Sequence, residues 1–197
     1  MGRKSLAKER TNQIIDAFEQ CIVKHGYEQA TLQRTAEQAN LNIGMIHHYI
    51  GNRDDLLRQM VARLIKKSHD EMAHFAKLVP AKKRLPYLLN TFFSIDGESD
   101  EEQILDALIT ASGRNPLLRE LITDINQVYE KILTDELSQM YPQATPEDCQ
   151  QVTFSILSLA YGSSLLVDIG GNHHRKRQAL QAAEALANGL GTRETDK

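Results

Sequence analysis

The chain has 197 residues, a formal net charge of −3 and a hydrophobic fraction of 41%, which suffices for one well-packed domain or two small ones. Its two cysteines lie far apart with no Cys-x-x-Cys pair, so a disulfide-rich secreted scaffold is excluded. The N-terminus has no signal-peptide stretch, and the most apolar segment, residues 154–169, is too short and too interrupted to span a bilayer. These features predict a soluble cytoplasmic protein that does not interact with membranes.

Charge is divided unevenly along the chain. Residues 1–78 hold 12 Lys and Arg against 9 Asp and Glu, whereas residues 79–197 hold 11 against 17. A mildly basic N-terminal half on an acidic body fits a protein that presents one end to phosphates. Because residues 1–55 alone carry seven charges of each sign, charge by itself does not predict DNA binding.

Helical periodicity runs through most of the chain, and few alternating runs typical of strands occur. The predicted fold class is therefore all-α. In chain order, the predicted helices cover residues 8–25, 31–39, 42–49, 53–79, 80–93, 101–114, 116–141, 145–168 and 175–188. Pro86 lies inside the fifth of these, so that helix is expected to start late or to kink.

Several helix ends are marked by residues suited to capping. Thr31, Asn42, Asn52 and Thr145 each stand immediately before a periodic segment, where their side-chain oxygens can accept a hydrogen bond from the first turn. Asn40 stands where the chain must turn sharply, and Asn tolerates a left-handed backbone better than most residues. Residues 31–49 therefore predict two short helices joined by a tight turn.

A helix-turn-helix of this kind places its second helix in the major groove of DNA. Gly44 would let the backbone approach DNA closely, although simple packing against a neighbour is the alternative explanation. The ring side chains at 47–49 can donate to phosphates or base edges, and Ile43 and Met45 can touch thymine methyl groups. The candidate DNA-binding residues are Thr31, Gln33, Arg34, Asn42, Ile43, Gly44, Met45, His47, His48, Tyr49 and Arg53. Arg3, Lys4, Lys8 and Arg10 form either a DNA-contacting basic arm or a solvated tail.

Residues 10–57 resemble the tetracycline-repressor (TetR) family of bacterial transcription regulators. The resemblance rests on Gly26-Tyr27, Ala30-Thr31, Ala36, Ala39, Gly44, Tyr49 and the run Asn-Arg-Asp-Asp-Leu-Leu at 52–57, all at the spacing of the family. Three positions depart from the family pattern. Asn40 replaces the usual turn glycine, His47 replaces a Tyr or Phe, and Ile50 replaces a Phe.

The resemblance implies a nine-helix fold in two parts. Residues 1–55 would form the DNA-binding domain with its helix-turn-helix, and residues 56–197 a ligand-binding and dimerisation domain. It also implies a homodimer that binds a near-palindromic DNA operator, most often as a repressor. A small-molecule effector would shift the long helix at 53–79 and weaken operator binding.

The last two predicted helices carry mixed small and bulky apolar residues suited to a helix pair that meets its symmetry mate. The predicted dimer interface comprises Val152, Ile156, Leu159, Ala179, Ala183 and Leu186. An internal core face would show the same pattern, so the residues alone leave both interpretations open.

An effector site, if present, is expected in the helices after residue 79. Its predicted lining consists of Phe92, Phe93, Leu108, Ile109, Ile125, Tyr129 and Tyr161, because apolar walls with a few polar groups are typical of small-molecule sites. Ordinary core packing is the alternative for each residue. No cluster of like charges accompanies them, which favours a neutral or weakly polar effector.

No catalytic or metal-binding motif is found. Gly-rich phosphate loops, His-Glu-x-x-His and paired cysteine ligands are missing from the sequence, and the adjacent histidines at 173–174 lack chelating spacing. No enzyme activity, metal or cofactor is predicted. The remaining alternatives are a DNA-binding protein controlled by a protein partner and, less favoured, a helical enzyme or carrier.

Overall fold

The computed structural model describes residues 3–93, 99–170, 172 and 174–192, with side chains for all of these except residues 3–5 and 168. The described residues form nine α-helices and no strand, as predicted. The helices are α1 Arg3–His25, α2 Leu32–Gln38, α3 Ile43–Tyr49, α4 Arg53–Leu78, α5 Ala81–Phe92, α6 Asp100–Ala111, α7 Pro116–Met140, α8 Pro146–Asp168 and α9 His174–Gly189. Two short 3₁₀ helices, Tyr27–Gln29 and Ser112–Arg114, follow α1 and α6.

Capping side chains fix most of these boundaries. The Thr145 hydroxyl accepts a hydrogen bond from the Asp148 amide at 3.1 Å, and Asn42 caps α3 in the same way. Ser99 and Glu102 form a reciprocal capping box at the start of α6, which sequence reasoning had not singled out. The acidic run at 96–102 predicts a loop before this helix; residues 96–98 lie outside the described part of the chain, and residues 100–102 already belong to α6.

Three boundaries differ from expectation. Helix α1 begins at Arg3, five residues earlier than predicted, and α6 gives way to the 3₁₀ turn after Ala111 instead of reaching residue 114. Helix α5 begins directly after Pro80 and runs through Pro86, so the predicted late start is wrong. Pro86 stands on the exposed side of the helix. The helical hydrogen bond that its missing N–H cannot donate is therefore lost next to solvent and not in the core.

The helices form two compact units: Met1–Ser68 with Ser99–Ile125, and His69–Glu98 with Asn126–Lys197. We call them the first and second units. Helices α4 and α7 contribute residues to both. In the first unit, α1 packs against α2, α3 and α6. The apolar stripe of α1 is buried together with apolar residues of α2, α3, α4 and α6. These side chains are Ile14, Phe18, Ile22, Ala36, Ile46, Leu56, Leu57, Met60, Ile104 and Leu108.

The core of the second unit is built from α5, α7, α8 and α9. Helix α9 packs against both α8 and α5. The buried side chains include Leu85, Leu89, Phe93, Leu133, Leu137, Val152, Ile156, Ala183 and Ala187. The small residues on α9 let its backbone come close to the neighbouring helices, which explains the alanine stripe along it.

Candidate DNA-binding interface

The first helix of the motif, α2, is held against α1 through its small residues. Ala36 and Ala39 are buried, and the Gln13 side chain donates a hydrogen bond to the Ala39 carbonyl at 2.9 Å. Thr31 caps α2 by accepting from the Arg34 amide at 3.2 Å. Asn40 has φ of 54°, the left-handed conformation predicted for the turn. Residues 31–42 therefore fold as a rigid entry to α3.

Helix α3 is anchored at one side and exposed at the other. Ile46 is fully buried and Ile50 nearly so, and the Asn42 side chain accepts from the Met45 amide at 2.9 Å. The predicted contact residues Ile43, Gly44, His47 and His48 are exposed, whereas Met45 and Tyr49 are half-buried. The exposed residues form the surface that can enter a DNA groove, and we call it the recognition face.

Gly44 has a structural role beside any close approach to DNA. A Cβ added at this position would lie 3.2 Å from the Asn42 Oδ1 atom that caps the helix. A side chain would therefore crowd the cap, while its absence leaves the first turn of the recognition face open. Both explanations offered for this glycine have a basis in the geometry.

The ring residues at the end of α3 have defined partners. The His47 Nδ1 atom lies 2.8 Å from the Gly51 carbonyl oxygen. His48 and Tyr49 pack edge to face, with ring centroids 4.8 Å apart. These contacts restrict the rotamers of the recognition face before any DNA is bound.

The turn that follows α3 is closed by a reciprocal pair of hydrogen bonds. Asn52 Oδ1 accepts from the Asp55 amide, and Asp55 Oδ2 accepts from the Asn52 amide, both at 3.0 Å. Gly51 has φ of 110°, and a Cβ there would lie 2.4 Å from Asp55 Oδ2. Sequence reasoning identified the Asn52 cap but missed Asp55, although an acid three residues after a capping residue is the usual signal.

The Arg53 guanidinium is hydrogen-bonded to other residues of the same chain. Its Nε donates to the Ala30 carbonyl at 3.2 Å, while Nη1 and Nη2 donate to the hydroxyl and the carbonyl of Tyr27 at 3.0 and 2.6 Å. The guanidinium also lies 4.1 Å from the centre of the Tyr27 ring. Burial raises the pKa of Tyr27, and the nearby Arg53 charge partly offsets this. Arg53 thus ties the start of α4 to the turn after α1, and its predicted DNA contact stays a prediction.

The remaining candidates flank the recognition face. Gln33 and Arg34 are exposed; Gln33 donates to Glu37 at 2.9 Å and Arg34 to the Gln29 carbonyl at 3.3 Å. At the N-terminus, Arg3 already belongs to α1, so the predicted basic arm is helical from that residue on. Arg10 donates to Gln13 at 2.6 Å.

The predicted dimer residues are divided between core and surface. Val152, Ile156 and Ala183 are buried in the core of the second unit, which corrects their assignment to an interface, because their side chains have no surface left for another chain. Leu159 and Ala179 are half-buried. Leu186 is exposed, as are the large apolar residues Phe154, Leu165, Leu166 and Ile169 of α8 and its C-cap.

The predicted effector lining is also divided. Leu108 and Ile125 are buried and Ile109 half-buried in the first unit; Phe93 is buried, and Phe92, Tyr129 and Tyr161 half-buried, in the second. Within the second unit, the Phe92 and Tyr129 rings pack edge to face at 5.7 Å. The Tyr161 hydroxyl donates to the Asn126 Oδ1 at 2.6 Å. We call Phe92, Asn126, Tyr129 and Tyr161 the aromatic cluster.

Within the described ranges, no group of three or more His, Cys, Asp or Glu residues is placed to hold a metal ion. No described helix is long and apolar enough to cross a membrane.

Known proteins share both the motif and the fold. Residues 14–60 match the profile described as bacterial regulatory proteins, tetR family. The HTH-type transcriptional regulator BetI of Escherichia coli O17:K52:H18 is 24% identical over 182 residues, which are 87% of this chain and 88% of that protein. The fatty acid metabolism regulator protein of Bacillus subtilis is 27% identical over 131 residues, 64% of this chain and 66% of its own.

A solved structure has the same fold along nearly the whole chain. The regulator from Saccharomonospora viridis in complex with choline superimposes with a TM-score of 0.76, at 19% identity, over 92% of this chain and 96% of its own. The helix-turn-helix geometry and the match over residues 14–60 lead to one assignment: residues 14–60 form a helix-turn-helix region of the tetR type, in a chain that is similar along most of its length to known transcriptional regulators.

Proposed function

We propose that two copies of this chain bind a near-palindromic DNA operator, repress transcription there and release the DNA when a small organic effector binds. The observation that carries the proposal is the recognition face of α3, exposed at Ile43, Gly44, His47 and His48 and fixed from behind by the buried Ile46. A short helix presented in this way is suited to the major groove. On this face, the apolar Ile43 and the side-chain-free Gly44 favour recognition of thymine methyl groups and of groove shape.

Selection of bound duplexes from a random DNA pool tests the operator. We expect a recovered sequence with two inverted half-sites about one helical turn, or a multiple of it, apart. Affinity for that duplex should fall steeply as salt is raised, because phosphate contacts release counterions. Recovery of no enriched sequence, or affinity independent of salt, would contradict DNA recognition.

The dimer in this proposal forms through the outer face of α8 and α9. Phe154, Ser158, Leu165 and Ile169 lie on one side of α8 and its C-cap, at offsets of four, eleven and fifteen residues from Phe154, and all are exposed. Leu186 is exposed on α9, which packs against α8. Large apolar side chains left on one face of a helix pair favour a self-complementary interface between two copies. This exposed stripe replaces the buried residues that sequence reasoning had selected.

The effector in this proposal contacts the aromatic cluster. Three half-buried rings with an amide and two phenol groups provide apolar walls and a few polar atoms, as small-molecule sites do. The Saccharomonospora viridis regulator was solved with choline, which supports a small organic molecule as the class of effector. We expect the effector to be neutral or weakly polar, since no cluster of like charges accompanies the predicted lining.

Within the second unit, α5 is hydrogen-bonded to the end of α4 and can transmit the effect of a bound ligand to it. Arg84 of α5 donates to the carbonyl oxygens of Ala76 and Val79 at the C-terminal end of α4, the latter at 2.8 Å. Phe92, in the aromatic cluster, ends the same helix α5. A displacement of α5 by a ligand would therefore pull on the end of α4, whose first residues follow the recognition helix.

A ligand screen tests the effector. Thermal unfolding should shift upward with a neutral or weakly polar compound that also releases the selected duplex, and Tyr161→Phe should reduce both effects. Tyr141→Phe is a matched control, because Tyr141 donates to Asn188 and not to the aromatic cluster. Stabilisation by multiply charged ligands alone would contradict the proposed class.

A further inference from the structure

His47 has one ring nitrogen bound within the protein and the other free for a partner. Its Nδ1 lies 2.8 Å from the Gly51 carbonyl oxygen. A carbonyl oxygen only accepts hydrogen bonds, so Nδ1 must carry the proton. The side chain is exposed, and no second hydrogen bond of its ring is found in the described part of the chain. The tautomer of neutral His47 is thereby fixed.

Fixing the tautomer decides what Nε2 can do. In the neutral ring, Nε2 has a lone pair and accepts hydrogen bonds, so it is repelled by phosphate oxygens, which also accept. In the protonated ring, Nε2 carries a hydrogen and a share of the positive charge, and it donates to phosphate. Histidine side chains change between these two states between about pH 5 and pH 8.

The carbonyl that fixes His47 is itself held in place by the turn. Gly51 adopts φ of 110°, which favours glycine. Asn52 and Asp55 close the turn on the next residue through two hydrogen bonds of 3.0 Å. The hydrogen bond between His47 Nδ1 and the Gly51 carbonyl is therefore a fixed feature of the end of α3.

The charged groups of the elements around α3 are mostly engaged elsewhere. On α1, Arg10 binds Gln13, Asp16 and Glu19 bind Arg63, and Lys24 binds Gln38, while Lys8, Glu9 and His25 are exposed. On α2, Arg34 binds the Gln29 carbonyl and Glu37 accepts from Gln33. At the start of α4, Arg53 binds Ala30 and Tyr27, Asp55 binds the Asn52 amide, and Asp54 is exposed. None of the described carboxylates is hydrogen-bonded to His47. The Nε2 atom of a protonated His47 is therefore available to an anion from outside the chain.

We infer that His47 is a proton-gated DNA contact: it binds a phosphate of the operator only when its ring is protonated, so that operator affinity rises as pH falls. This inference rests on the proposed DNA binding and adds a chemical condition to it. One proton should be taken up per half-site, and therefore two per dimer. The contact should tighten binding by about 10- to 100-fold per half-site, the usual effect of one hydrogen bond to a charged group.

The test is operator affinity measured from pH 5.5 to 8.5 at constant salt, with the duplex selected from a random pool. Wild-type affinity should increase toward low pH. His47→Gln places an amide donor near the position of Nε2 and cannot titrate, so its affinity should be independent of pH. His47→Asn can still donate to the Gly51 carbonyl but does not reach outward, so it should bind weakly at every pH.

His74→Gln is the matched control, because it removes one exposed imidazole from α4, outside the recognition face. It should keep the pH dependence of the wild type. A folded His47→Gln variant that keeps the full pH dependence, or a wild-type affinity that does not change with pH, would overturn the inference and leave the proposed DNA binding intact. A wild-type chain that selects no duplex at any pH would instead contradict the proposed function itself. Thermal unfolding of each variant separates these outcomes from a loss of folding.

Discussion

Replacing Phe154 by Ala should weaken the proposed dimer without affecting the fold of the protomer. Phe154 is 67% exposed, so its ring contributes little to the core of the second unit. A phenylalanine side chain buries about 200 Å² when fully covered. At about 25 cal/mol per Å², covering the exposed part contributes about 3 kcal/mol.

Alanine retains part of this contribution, and an interface does not cover every exposed atom. A loss of about 2 kcal/mol per side chain is therefore reasonable. The dimer contains two copies, so we expect a loss of about 4 kcal/mol, or about a thousandfold in the dimer dissociation constant. Sedimentation equilibrium over a wide range of concentrations measures this constant directly.

Leu78→Ala is the matched control, since Leu78 is also 67% exposed but lies at the end of α4. It should leave the dimer dissociation constant unchanged. An unchanged constant for Phe154→Ala, or a wild-type chain that is monomeric at micromolar concentration, would refute the assignment of the α8–α9 face. A large fall in the thermal stability of the Phe154→Ala protomer would show instead that the ring is part of the core.

Three further predictions follow from single sites. Tyr49→Ala should weaken binding to the selected operator by about 1–3 kcal/mol, the scale of one polar contact or one mismatched base pair; fluorescence anisotropy measures it, and an unchanged affinity in a folded variant would contradict the contact. Gly51→Ala should lower the free energy of unfolding by about 1–3 kcal/mol, because φ is 110° and the new Cβ would lie 2.4 Å from Asp55 Oδ2; denaturant titration would contradict this by finding no change in midpoint. Burial raises the pKa of Glu136, which the Arg84 charge only partly offsets, so the folded state holds this proton more tightly than the unfolded state, and stability should fall as pH rises from the ordinary glutamate range through the raised pKa. Glu136→Gln should remove that part of the pH dependence. If the unfolding free energies of the two proteins changed in parallel between pH 4 and 8, the reasoning would be wrong.

Local chemistry made the helix-turn-helix predictable from sequence. Thr31 and Asn42 cap their helices as expected, and Asn40 adopts the left-handed turn. These features depend on residues only three or four positions apart, so the sequence contains all the information they require. Ser99 caps α6 in the same way, and was overlooked because it stands within the acidic run at 96–102, which suggested a later helix start.

Long-range partners were less predictable. Val152 and Ile156 have the helical spacing of an interface and of a core alike, and only the position of the neighbouring helices shows that they are buried. Arg53 was selected as a phosphate contact because it is a cation beside a recognition helix. Its contact with Tyr27 spans 26 residues of sequence, and no local pattern reveals it. Periodicity identifies the apolar side of a helix but not the element that covers it.

The first unit has a consequence for protein engineering, because it is assembled from two separate stretches of the chain. Ile104 and Leu108 of α6 are buried in the unit, and α6 packs against α1 and against the 3₁₀ turn at Tyr27–Gln29. An N-terminal fragment cut after α3 or within α4 would expose those apolar surfaces of α1 to water. A chimera meant to give another regulator this DNA specificity should therefore exchange the recognition face alone, or carry residues 99–125 together with the N-terminal helices.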